Sequence, residues 1–152
     1  MKLTLLRQWL TEMFNPSRDE ARMLLFETWR KRRASELLTP LEDLLAQLIE
    51  KHPEYHALLA EPDSNQDKDY APEQGETNPF LHLMMHLTIE EQISIDQPHG
   101  IRAHFQRLAE KYHSEHDAHH RMMECLAEMI WQAQRYGTTP DASLYLTCLE
   151  KK

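Results

Sequence analysis

The residues of this chain best suited to chemistry are histidines and glutamates set one helical turn apart. His82, His86 and Glu90 form one run, and His116, His120 and Glu124 form another, each reading His-x3-His-x3-Glu. On an α-helix, positions i, i+4 and i+8 fall within about 80° of one another and span roughly 12 Å. Two imidazoles so placed can point at one ion, and a carboxylate one turn on can bind a neighbouring ion or bridge two. In the first run Leu83, Ile89 and Ile93 share the same stripe. Three ionisable groups therefore sit on a face that reads as buried, where each costs several kcal/mol without a partner. A divalent cation would satisfy all three at once.

The second run is less clean. The apolar stripe of its helix is centred on Met122, Leu126, Met129 and Ala133, and the triad lies on its flank. His119 sits nearer the middle of that stripe, so His116 and His119 form a competing ligand pair. His56, at the end of a preceding helix, is the further candidate ligand, with His52 and His113 as alternatives; Glu27 is a weaker one. The metal set is thus His56, His82, His86, Glu90, His116, His120 and Glu124. Imidazole plus carboxylate, with no thiolate at ligand spacing, suits a divalent metal: iron first, then manganese or zinc. The competing reading is a buried His–carboxylate hydrogen-bond network with no ion.

The elements that must position these groups are helical. Only 3 residues are Gly, and straight-chain helix formers outnumber the β-branched residues that favour strands. Ser17-Arg18-Asp19-Glu20 reads as a capping box opening a helix towards Arg33, and Thr39-Pro40-Leu41-Glu42 as a second one, with Pro at the first helical position. Pro53 interrupts that second helix. Residues 61–77 read as a long acidic surface loop, suited to a lid or a partner surface. Asn78-Pro79 caps a third helix to about Asp96. A fourth helical region runs from Ile101 to about Tyr136, with a break near Ser114, and Gly137 ends it. Thr139-Pro140 opens a short last helix. The expected architecture is all-α: a four-helix bundle with short additional N- and C-terminal helices. It comprises an amphipathic extension over 1–13, read as a helix and not a signal peptide, and a single domain over 14–152.

Composition narrows the function classes. Asp and Glu number 25 against 17 Lys and Arg, a formal charge of -8, which argues against nucleic acid as a partner. The basic run Arg30-Lys31-Arg32-Arg33 reads as a helix C-terminus complementing the dipole. No apolar run approaches the ~20 residues needed to span a bilayer. Cys125 and Cys148 are too few and too far apart to suggest a disulfide framework, so both are expected reduced, which suits a cytoplasmic address. Phosphate loops and the G-x-S-x-G and H-E-x-x-H motifs are absent, and the Met84-Met85 and Met122-Met123 pairs read as core filling.

Several stretches are similar to a bacterial family of uncharacterised, domain-of-unknown-function proteins. They include Phe14-Asn15-Pro16-Ser17-Arg18, His52-Pro53-Glu54-Tyr55-His56, Asn78-Pro79-Phe80-Leu81-His82, Glu90-Glu91-Gln92, Asp96-Gln97-Pro98 and Trp131-Gln132-Ala133-Gln134-Arg135. The likeness runs from Phe14 to the C-terminus and implies no activity, but it includes the His-bearing stretches. By weaker analogy, the His-rich donor balance resembles hemerythrin-like helical metal proteins, whereas the Glu-x-x-His signature of ferritin-type centres is absent. Two functions follow as expectations. One is a metal-binding helical protein, with one ion or two, in redox, oxygen or metal handling. The other is a structural or interaction module, with a protein partner or a homo-oligomer.

Overall fold

Local capping chemistry explains where the helices start. In the computed structural model, which describes residues 18–70 and 78–152, every regular element is helical and no strand occurs among the described residues. These elements are α1 (Arg18–Arg33), α2 (Pro40–Glu50), a 3₁₀ turn (Pro53–Tyr55), α3 (His56–Leu59), α4 (Pro62–Asn65), α5 (Pro79–Ile95), α6 (Ile101–Tyr112), α7 (Glu115–Tyr136) and α8 (Ala142–Glu150). The Ser17 capping box and the 1–13 extension lie outside the described residues.

Thr39 and Glu42 form the expected reciprocal pair. The Glu42 N–H donates to Thr39 Oγ1 at 3.2 Å and the Thr39 N–H donates to Glu42 Oε1 at 3.0 Å. Asn78 Oδ1 accepts from the backbone of Phe80 and Leu81 at 3.0 and 3.1 Å, which starts α5. The break at Ser114 is a full helix boundary. His113 is left-handed (φ 53°), and Ser114 Oγ accepts from the Asp117 N–H at 3.0 Å. Gly137 (φ 62°) closes α7 in the left-handed conformation that glycine adopts without steric cost. The last helix begins later than Thr139-Pro140 suggests. Asp141 takes the cap, accepting from the Ser143 N–H at 2.9 Å.

Two compact units divide the chain, Met1–Leu87 and Thr88–Lys152, with the division inside α5. In the first, Leu25, Phe26, Trp29, Leu45, Leu48, Ile49, Leu59, Phe80, Leu83, Met84 and Leu87 form a continuous buried cluster. The last turn of α1 carries Arg30, Lys31, Arg32 and Arg33. Lys31 pairs with Glu42 at 2.9 Å and Arg32 with Glu50 at 2.6 Å, tying α1 to α2. The 61–77 segment is not wholly irregular. Pro62 at the first helical position starts α4, and Asn65 closes it by donating to the Glu61 carbonyl at 2.9 Å. Buried Arg22 then donates to the carbonyls of Gln66 and Lys68 at 2.8 Å each and stands over the Phe80 ring. Burial pulls its pKa below the usual guanidinium value. Residues 71–77 of that segment lie outside the described ones.

The second unit packs α6, α7 and α8 around Ile101, Leu108, Met122, Leu126, Tyr145 and Leu149. The buried Tyr145 hydroxyl donates to Gln92 Oε1 at 2.8 Å, and burial pushes the phenol pKa well up. The expectation of reduced cysteines is corrected here. Cys125 and Cys148 form a disulfide, with Cα atoms 5.6 Å apart, because α8 returns along α7 and places the two side by side despite 23 residues of separation. The thiol argument for a cytoplasmic address falls with it. No described helix is long and apolar enough to cross a membrane.

Candidate metal centre

His52 follows the last turn of α2, where Pro53 stops the helix and starts the 3₁₀ turn. Its ring is buried, and Nδ1 lies 2.7 Å from the Leu48 carbonyl oxygen. A carbonyl only accepts, so Nδ1 carries the proton and Nε2 carries the lone pair. This is the arrangement of metal-binding histidines, whose second ring N–H is held by a carbonyl or carboxylate.

His82 and His86 present their rings one turn apart on α5. His82 Nε2 is 3.2 Å from His52 Nε2 and also 3.2 Å from His86 Nε2. The three rings cross rather than stack, with centroids 4.7–5.0 Å apart and interplanar angles of 59° to 77°. Crossed planes direct in-plane nitrogens towards a common point. A ring nitrogen has one in-plane site, either an N–H or a lone pair. His82 Nε2 therefore meets two facing nitrogens with a single site, which one hydrogen bond serves poorly and one cation serves well. A metal–imidazole bond of about 2.0–2.1 Å sets tetrahedral ligand nitrogens about 3.3 Å apart and octahedral neighbours about 2.9 Å apart. The observed spacings fall between these. His52, His82 and His86 each offer one ring nitrogen, all within 4.8 Å of one another, and this group could hold a metal ion.

The remaining sequence-derived ligands are placed as follows. His56 Nε2 donates to the Ile49 carbonyl at 2.8 Å, and its ring lies over Trp29 at 4.4 Å. Glu90 is half-buried and its Oε1 lies 3.1 Å from Nε2 of buried His119. His116 packs its ring on that of His120 at 4.3 Å. Glu124 is exposed, paired with Arg121 at 3.4 Å and with Lys152. The hydrogen bond from Lys152 holds its carboxyl below the usual range. Both members of the first His-x3-His pair join the group. His52, rather than His56, comes from the Pro53 bend. The signal for His52 is its position just before Pro53, at the head of the 3₁₀ turn.

Tyr55 borders the group. Its ring stacks on His52 (5.6 Å, 5°) and stands edge-on to His82 (5.8 Å, 74°). Burial, and then the charge of Glu54, raise its phenol pKa.

Neither a search of curated proteins nor one of solved structures found a match. A family match covers residues 17–151, nearly the whole described chain and every residue of the imidazole group. The chain belongs to the family described as "Domain of unknown function (DUF1841)".

Proposed function

We propose that this protein binds a divalent transition-metal ion through His52, His82 and His86. The observation that carries the reading is the pair of 3.2 Å Nε2–Nε2 approaches among crossed rings, with His52 held in the metal-binding tautomer by Leu48. Imidazole donors suit iron, zinc, copper and nickel, whereas manganese favours oxygen ligands. Iron, put first by the imidazole-plus-carboxylate balance of the sequence, would supply redox or oxygen chemistry; a hemerythrin-like centre rests on that balance alone. Glu90 stands one turn along α5 from His86. His56 and Glu124 are engaged by Ile49 and by Lys152 and Arg121, and stand outside the set.

The alternative, a structural module with a His–carboxylate network, is favoured by the His119–Glu90 pair at 3.1 Å. One comparison separates the two. Protein purified without an affinity tag is analysed for metal, then melted with and without added iron(II), zinc(II) or copper(II). Stoichiometric uptake and a metal-dependent rise in melting temperature that His86→Ala abolishes support the site. No divalent metal bound by the unmutated protein, reduced and oxygen-free, would end it.

A further inference from the structure

We propose that Tyr55 is the positioning residue of the imidazole group: its ring, stacked on His52 and edge-on to His82, sets the two rings that must meet an ion. The inference rests on the metal reading of that group. Tyr55 ends the 3₁₀ turn that Pro53 starts, and its N–H donates to the His52 carbonyl at 3.0 Å. That bond closes the turn, so the side chain of residue 55 folds back onto residue 52. Proline fixes the backbone angle φ at the head of the turn. The parallel stack with His52, 5.6 Å between centroids, opposes rotation of that imidazole about its Cβ–Cγ bond. The edge contact with His82 at 5.8 Å does the same for a ring that α5 alone would leave free to choose among rotamers. His52 is thus fixed from two sides, by Leu48 at Nδ1 and by Tyr55 on its face. Groups that orient ligands in this way commonly govern metal affinity by about 10–100-fold.

The ring, not the hydroxyl, carries this role, and the test turns on that difference. Zinc(II) affinity is measured by competition with a chromophoric chelator, and release by transfer to excess chelator. The proteins compared are wild type, Tyr55→Phe, Tyr55→Leu and Tyr55→Ala. Tyr55→Phe should bind within about twofold of wild type. Tyr55→Leu, which keeps bulk and loses the flat face, should bind about 10–100-fold more weakly and release faster. Tyr55→Ala should be at least as weak; if it fails to melt cooperatively, Tyr55→Leu decides. The cobalt(II) protein gives a second readout, since a change in ligand geometry alters its visible bands in Tyr55→Leu but not in Tyr55→Phe. A purely structural Tyr55 would lower the metal-free melting temperature and leave zinc affinity and the cobalt bands in place. Tyr55→Leu binding zinc as tightly as wild type overturns the proposal, as does Tyr55→Phe binding as weakly as Tyr55→Leu. Either result leaves the metal site standing, whereas a wild-type protein that takes no zinc, cobalt or iron removes both.

Discussion

The two His-x3-His-x3-Glu runs have identical spacing and different fates. On α5, His82 and His86 bring their Nε2 atoms to 3.2 Å, and every residue from Leu83 to Ile89 is buried. On α7, burial alternates: Ala118, His119, Met122, Cys125 and Leu126 face the core of the second unit, while Arg121, Glu124 and Glu128 are exposed. The α7 run lies along the edge of that stripe, so its carboxylate end turns to Arg121 and Lys152. The carboxylate end of the α5 run meets His119, a residue outside either run. Spacing puts three groups on one side of a helix. Which side faces the interior is settled by the apolar residues around them, because desolvating an unpartnered ionisable group costs more than turning it outward.

Breaking the disulfide should have the largest effect. It closes a 23-residue separation between α7 and α8 without touching either histidine run. Cys125→Ala/Cys148→Ala is expected to cost about 3 kcal/mol of stability by chemical denaturation. If metal uptake by the folded double variant matches wild type, the group does not depend on that staple. Next comes His86→Ala. At free metal a hundredfold above Kd, wild type gains about 2.7 kcal/mol on binding, and the variant should gain little of it. A change in the other run, Glu124→Gln, should leave that gain intact; equal losses would erase the distinction drawn here. Acid should act in the same direction as His86→Ala. Imidazole binds metal only when neutral, so the metal-dependent melting shift should shrink as the pH is lowered.

Glu124→Gln itself should give the smallest change, well under about 1 kcal/mol at neutral pH, because the ion pairs it removes are exposed and screened. Its pH dependence has a definite sign. The folded carboxyl titrates below its ordinary value, so its contribution is present above the unfolded value and is lost as pH falls through the folded one. Wild type and variant should therefore differ slightly at pH 7 and converge below about pH 4, measured by urea melts. A gap that widened in acid would contradict the Lys152 pairing.

Helix boundaries were readable from sequence because their causes are local. Thr39 with Glu42, Asn78, Ser114 with Asp117, and Gly137 each act within a turn of backbone, and each sits where the pattern of residues put it. So were His82 and His86 as a pair, since i and i+4 share a helix face in any tertiary setting. The cysteine pairing was not, because 23 residues and a turn lie between positions that meet only when α8 folds back on α7. Nor was the choice of His52 over His56. These two lie on either side of Pro53 in sequence, and the 3₁₀ turn sends one ring to His82 and His86 and the other to Trp29 and the Ile49 carbonyl. Helix starts, face-sharing pairs and an all-α class are determined by interactions within about four residues. Which imidazoles converge is decided by non-local packing, which no spacing in the chain encodes.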